Sequence, residues 1–311
     1  MPDLKRKLKK ALSRPAATFV HVLGFERTKF IPDELYLRSE FKYRTGRKLD
    51  LAKPETFNEK LQWLKLHDRR NEYTVMVDKY LVRSYVGGRI GEKYLVPLLG
   101  VWDDPDDIDF SALPDQFVLK CNHNSGTGMC ICRDKSRIDE RKVREELRRG
   151  LKENFFYLGR EWPYKHVPRK IIGEKYLTDG AGDGLKDYKV LCFHGEPKLI
   201  ELHKGRFTDH QTQDFYDPQW RKTSISMARV SHFNVSDTIE PKPAALDEML
   251  RLSRILAEGI PHVRVDWYIV GEQLYFGELT FYDGSGFDVY DDPADDLLIG
   301  SWLTLPYEKD L

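Results

Sequence analysis

Cysteine is scarce in this sequence: four residues, Cys121, Cys130, Cys132 and Cys192, in a chain of 311. Cys130-x-Cys132 is too closely spaced for the usual two-residue zinc knuckle, and no second cysteine pair follows it. The thiols therefore read as reduced and mostly buried, in a cytosolic protein. Net charge is also missing, with 50 basic residues against 50 acidic ones, which argues against non-specific nucleic-acid binding. There is no apolar run of bilayer-spanning length and no secretory core, so a soluble protein is expected. No glycine-rich loop ends in Gly-Lys-Ser/Thr, which excludes a P-loop. With 41% hydrophobic residues, the chain can build a large core divided over two or three lobes.

The most informative stretch is Val263–Gly286. It reads as two strands joined by a tight turn at Val270-Gly271-Glu272. Val263, Val265 and Trp267 alternate with Arg264, Asp266 and Tyr268, so Arg264 and Asp266 point the same way. On the second strand Leu274, Phe276 and Glu278 follow one another on one face. Antiparallel pairing brings Asp266 near Glu278, and two close carboxylates call for a cation. Mg²⁺, completed by phosphate oxygens, suits such an oxygen-rich site. A solvated hairpin with scattered charges is the alternative.

Residues 1–14 carry Lys5, Arg6, Lys7, Lys9, Lys10 and Arg14, with Leu4, Leu8 and Leu12 at helical spacing. This basic amphipathic segment can rest on an anionic membrane surface or pack on its own domain. Pro32-Asp33-Glu34 starts a helix, and Thr56-Phe-Asn-Glu59 is a capping box. A helix is expected from about Thr74 to Val86, ended by Gly87-Gly88, with Lys79 and Arg83 four residues apart on one side. Phe117–Asn122 is a buried strand carrying Lys120. The loop Ser125-Gly126-Thr127-Gly128 and a second apolar run, Met129–Cys132, follow. Such a loop can fold over phosphates and offer backbone N–H groups, or be an ordinary hairpin turn. Residues 139–158 read as one scaffold helix. Arg169–Leu177 is a strand, with Glu174 near its end. Strands Lys186–Phe193 and Lys198–Leu202 flank a His194–Pro197 turn, with Asp187 and Lys189 on one face. Residues 203–245, with Arg206, Asp209, Trp220 and Arg221, form a long polar insertion suited to a substrate loop or lid. Ala244–Ala257 is an amphipathic helix.

Taken together, Lys53–Trp63, Asp78-Lys79, Val118–Gly126, Asp187-Tyr-Lys189, Arg264-Val-Asp266 and Phe276-Gly-Glu-Leu-Thr280 stand in an order that resembles the ATP-grasp superfamily. Within it, the pattern is similar to the TupA-like family, associated with teichuronic acid and other surface polysaccharides. The resemblance spans residues 30–305. It implies an α+β, ATP-grasp fold, with a nucleotide site between two α+β lobes and a helical N-terminal extension. The expected division is a basic N-terminal segment and helical extension (1–72), a helix–strand linker region (73–115), a central lobe with the phosphate loop (116–200) and a C-terminal lobe with the metal site (201–311).

By resemblance, Lys120 approaches the nucleotide phosphates, and Arg83 is the cation following the Asp-Lys pair of Lys79. Ser125, Gly126, Thr127 and Gly128 form the flexible phosphate cover. Glu174 lies near the adenosine end, and Asp187 and Lys189 complete the nucleotide contacts. Arg264 stabilises the transferring phosphoryl group, and Asp266, Glu278 and Thr280 face Mg²⁺. Thr280 stands where the superfamily commonly has asparagine. The implied cofactors are ATP and Mg²⁺. The implied activity is carboxylate phosphorylation followed by attack of an amine on the acylphosphate, acting on a carboxylate-bearing saccharide or its precursor. No specific nucleic acid is expected as a partner. Contact with an anionic membrane or a polysaccharide assembly complex at the inner face would come from the basic N-terminus. A glycosyltransferase-like role and a nucleotide-binding accessory protein without chemistry are the competing readings.

Overall fold

The computed structural model describes residues 29–180, 184–205, 208, 210–229 and 233–306. The basic segment 1–14, Arg206 and Asp209 lie outside the described residues. Two antiparallel sheets organise the rest. Strands β1 (Leu98–Trp102), β2 (Phe117–Cys121), β3 (Met129–Cys132) and β4 (Ile171–Lys175) form a four-stranded sheet in the order β1-β4-β2-β3. Strands β5 (Asp187–Phe193), β6 (Glu196–Lys204), β7 (Thr212–Tyr216), β8 (His262–Val270) and β9 (Gln273–Thr280) form a five-stranded sheet in the order β7-β6-β5-β8-β9. The chain crosses from one sheet to the other between Lys175 and Asp187, so β5 and β6 group with the C-terminal strands.

Helices α1 (Asp33–Thr45) and α2 (Phe57–His67) make up the N-terminal extension. Thr56 caps α2 in a full capping box with Glu59, as its spacing predicts. The α2 face then packs on the far end of the chain. Asn58 Nδ2 donates to the Asp288 carbonyl at 2.8 Å, and Gln62 Nε2 to the Gly286 carbonyl at 2.6 Å.

The helix expected over 74–86 is instead two, α3 (Glu72–Val77) and α4 (Val82–Ile90), and Gly87-Gly88 lies inside the second. The break has a tertiary cause. Asp78 Oδ1 accepts from the N–H groups of Tyr80 and Leu81 and from Asn122 Nδ2, while Lys79 N donates to the Asn122 carbonyl. These bonds pin the break to the end of β2 and leave Lys79 outside the helix. The stretch expected as one helix over 139–158 divides into α5 (Glu140–Lys152) and α6 (Phe156–Gly159).

The insertion 203–245 is not simply a lid. It contains β7 on the sheet edge. Trp220 is buried, stacks on Tyr216 at 4.3 Å between ring centroids and donates Nε1–H to the Glu240 carbonyl. Trp220 therefore serves the core. Helix α7 (Leu246–Ala257) covers the same core with Leu246, Met249, Leu252 and Leu256. The four cysteines are free thiols, three of them buried.

Candidate active site

The hairpin β8–β9 turns at Gly271, whose φ of +61° is the left-handed conformation glycine adopts most readily. Val263, Val265 and Trp267 are fully buried, which turns Arg264, Asp266 and Tyr268 to the opposite face. Alternation fails on β9. Val265 pairs with Leu279, but Trp267 pairs with Phe276, so Gly277 and Glu278 together oppose Asp266. This is a bulge. It corrects the expectation that Glu278 shares a face with Leu274 and Phe276. Those two face the core with Leu279, while Glu278 and Thr280 face the cavity. A Cβ at Gly277 would lie 3.1 Å from the Asp266 carbonyl, so the bulge favours a glycine.

A cavity of about 560 Å³ lies between the two sheets. Of the residues singled out in the sequence, Lys79, Lys120, Ser125, Gly126, Thr127, Glu174, Lys189, Arg264, Asp266, Glu278 and Thr280 line it. Arg83 does not, but its Nη1 reaches Glu174 at 3.4 Å, beside Lys120 Nζ at 2.6 Å. Gly128 also stays out of the lining. It packs against α5, where a Cβ would meet Cys121 Sγ at 2.6 Å and Gly150 Cα at 2.9 Å, and its N–H donates to Glu146. Asp187 borders an adjoining slot of about 190 Å³, lined by Val118, Ile131, Leu177 and Tyr268 and sharing Lys120 and Glu174 with the larger cavity. The apolar members of that slot escaped the sequence reading. The signal was there: Val118 precedes Lys120 by two residues and so shares its face of β2.

The charged groups that the sequence singled out are paired in the cavity. Arg264 grips Asp266 with two bonds of 2.7 Å, Nε to Oδ1 and Nη2 to Oδ2, and its Nη1 binds Asp283. Arg264 Nη2 lies 3.3 Å from Thr280 Oγ1 and 3.7 Å from Glu278. Lys79 reaches Glu278 at 3.1 Å, and Lys189 reaches Asp266 at 3.7 Å. Burial alone would raise the Glu278 carboxyl. The cations of Lys79, Arg264 and Lys189 outweigh it and hold the group well below the usual carboxylate range. His123 is different. Burial pushes its imidazole down to about 4, and its Nε2 lies 3.1 Å from the Glu153 carbonyl, so it is a neutral tie between the loop and α5.

The donor chemistry fits a hard divalent cation at Asp266 and Glu278, whose oxygens face one cavity. No full set of three His, Cys, Asp or Glu ligands gathers among the described residues, so phosphate oxygens and water would supply the remaining positions. Thr280 adds a hydroxyl that Arg264 already engages.

A family model described as TupA-like ATPgrasp matches residues 59–304. The chain belongs to the TupA-like ATP-grasp family. No curated protein sequence matches it. Among solved structures, it is similar to a D-alanine–D-alanine ligase from Bacillus anthracis complexed with ATP, at 14% identity over 73% of this chain and 62% of that one, with a TM-score of 0.39. It is similar also to the D-alanine–D-alanine ligase of Helicobacter pylori, at 14% identity over 80% of this chain and 69% of that one, with a TM-score of 0.40. For D-cycloserine synthetase DcsG the identity is 14% over 73% of this chain and 70% of that one, with a TM-score of 0.41. The chain spans 62% of the length of the first of these ligases. Its fold is the two-lobed α+β architecture of the ATP-grasp family, and no helix among the described residues is long and apolar enough to cross a membrane.

Proposed function

We propose that this TupA-like ATP-grasp protein is an ATP- and Mg²⁺-dependent ligase that joins a carboxylate to an amine. The observation that carries the proposal is the convergence of four cations, Lys79, Lys120, Lys189 and Arg264, and the two carboxylates Asp266 and Glu278 on one cavity between the sheets, with Arg83 behind Glu174. ATP suits this arrangement. The adenine ring would enter the apolar slot beside Val118, Ile131 and Tyr268, and the phosphates would extend toward Lys120 and the Ser125–Thr127 loop.

Asp266 and Glu278 would hold Mg²⁺, which would neutralise phosphate charge when bound. The chain's own residues do the positioning. Phosphate oxygens draw Lys120 from Glu174 and Lys79 from Glu278. Arg264, fixed by Asp283, presents its planar fork to the phosphoryl group in transit. The substrate carboxylate attacks the γ-phosphorus, ADP leaves, and an amine displaces phosphate from the acylphosphate. The acceptor we assign is a carboxylate-bearing saccharide or its precursor, in the assembly of a surface polysaccharide. Attachment at an inner membrane face would rest on the basic stretch 1–14.

A screen of uronic acids against amino acids, with ATP and Mg²⁺, tests this reading by ADP release and product mass. ADP released only when both substrates are present, with a condensed product, is the expected result. Tight ATP binding without turnover on any pair would favour a non-catalytic nucleotide binder, and UDP release from a UDP-sugar would favour glycosyl transfer.

A further inference from the structure

One part of the cavity lies outside the ATP site proposed above. Arg44, Gly159, Glu161 and Ser285 line the cavity, and none of them borders the apolar slot. They adjoin the phosphoryl site through Arg264, whose Nη1 binds Asp283, two residues before Ser285 in the turn after β9. Helix α6 ends at Arg160, which holds a left-handed φ of +55° and donates its N–H to the Phe156 carbonyl at 2.7 Å. A residue other than glycine is strained in that conformation. Contacts with α1 hold it there: the Arg160 guanidinium lies 4.3 Å from the centre of the Tyr36 ring, and its Nε lies 3.4 Å from Asp33. The turn at Arg160 is followed directly by Glu161, which lines the cavity.

Glu161 is only 5% exposed. A Cβ on Gly159 would lie 2.2 Å from Ser285 Oγ and 3.0 Å from Glu161 Oε1, so the glycine lets these two side chains approach each other. Lys65 lies beside them but commits its Nζ to Gln62 Oε1, to the Gly159 and Ser285 carbonyls and to Ser285 Oγ. Among the described residues no lysine or arginine reaches Glu161 at ion-pair distance, so a buried carboxylate meets the cavity without a paired cation. Such a group is costly until a cation joins it. Arg44 has the opposite character. It comes from the last turn of α1, with its Nε on the buried Glu40 and its guanidinium 5.2 Å from the centre of the Phe287 ring. Those contacts orient the fork, and among the described residues neither Nη is hydrogen-bonded.

We propose that this part of the cavity is the amine subsite and that the amine is an amino acid, its carboxylate taken by Arg44 and its ammonium group by Glu161. The assignment rests on the ligase reading above and names the class of its nucleophile. A carboxylate matches the two Nη donors of a planar guanidinium. An ammonium group brings Glu161 the charge that Lys65 does not supply, and Ser285 Oγ stands beside it as a further acceptor. An amino acid held here adjoins Arg264 and stays clear of the apolar slot. The choice of nucleophile then belongs to the N-terminal extension, which supplies Arg44, and not to the two sheets.

Binding without turnover tests the subsite first. A panel of α-, β- and γ-amino acids and their primary amides is titrated by calorimetry into protein saturated with a non-hydrolysable ATP analogue and Mg²⁺. At least one amino acid should bind at least about tenfold more tightly than its amide. Arg44→Gln should remove that preference, and Glu161→Gln should weaken acid and amide alike by at least about tenfold. In turnover with ATP, Mg²⁺ and a uronic acid, Arg44→Gln should raise the KM for the same amino acid at least about tenfold, with a smaller change in kcat. No amino acid bound, acid and amide bound equally, a preference that survives Arg44→Gln, or Glu161→Gln protein that binds as the wild type does would each overturn the subsite. A variant whose KM rises for the uronic acid and not for the amino acid would overturn it too. Hydroxylamine carries neither charge and separates the two readings. Wild type that forms hydroxamate but shows no amino-acid preference remains a ligase without this subsite. Wild type that binds an amino acid through Arg44 but forms hydroxamate on no uronic acid keeps the subsite and contradicts the ligase reading.

Discussion

At the scale of single residues, the proposed mechanism makes its strictest demand on Arg264. Its guanidinium spans Asp266 and Asp283, so its charge is fixed before any substrate arrives. Burial would weaken that charge, but Asp266 and Asp283 more than compensate and keep it fully protonated. Arg264→Lys retains the charge and loses the fork. Turnover is expected to fall by at least about tenfold, equivalent to roughly 1.4 kcal/mol of barrier, with a smaller change in ATP affinity. Single-turnover rates measured beside nucleotide dissociation constants separate the two. An equal loss of rate and affinity would contradict a transition-state role. Lys120 differs, because it stands where the larger cavity meets the apolar slot. Lys120→Ala should weaken binding of an ATP analogue by about 1.5–3 kcal/mol, the range for a hydrogen bond to a charged group. Titration calorimetry measures this directly, and unchanged affinity would remove Lys120 from the phosphate site.

Among the structural elements, the bulge at Gly277-Glu278 and the second helix of the extension decide the shape of the site. The hairpin itself was readable, because Val263, Val265 and Trp267 alternate cleanly and Gly271 marks the turn. The bulge was not, since strict alternation assigns Glu278 to the core side, and only pairing with β8 shows the slip. The break at Asp78 was hidden for a similar reason. Its cause is Asn122, far away in sequence. Thr56 and Glu59 were readable because a capping box is local. What α2 does next was not. Its Lys65 is fully buried and donates to the carbonyls of Gly159 and Ser285, each at 2.7 Å. Both of those residues line the cavity, so α2 ties two of its walls together. Lys65→Met removes the donor and leaves those acceptors buried. We expect a loss of about 1–3 kcal/mol, read by chemical denaturation. A variant as stable as wild type would show that the tie is dispensable.

Across the whole molecule, two sheets enclose a cavity in which the candidate metal ligands and the candidate phosphate-binding cations are held by one another or by a neighbouring side chain. Glu174 holds Lys120 and Arg83, Glu278 holds Lys79, and Asp266 holds Arg264 and Lys189. Such pairing keeps the cations and carboxylates solvated by each other. On the proposed function it would also make nucleotide and metal depend on one another, since phosphates would draw the cations and the metal would take the carboxylates they leave. The core beneath responds to acid. His262 sits between the rings of Phe57 and Phe193, and burial pushes its imidazole down to about 3. The unfolded chain takes up this proton near pH 6.5 and the folded chain refuses it. The His262 contribution to stability is therefore whole above pH 6.5 and is lost as pH falls toward 3. Wild type should lose melting temperature relative to His262→Asn over that interval. A constant difference would mean that His262 is charged in the fold or reaches solvent.

The mutual dependence of nucleotide and metal is the central claim, and one titration tests it. The dissociation constant of a non-hydrolysable ATP analogue is measured with and without Mg²⁺, for the wild type and for Asp266→Asn/Glu278→Gln. The account predicts that Mg²⁺ tightens wild-type binding by at least about tenfold, or roughly 1.4 kcal/mol, and that the double variant, still folded, loses this gain. A double variant whose binding remains as Mg²⁺-dependent as the wild type's would contradict it.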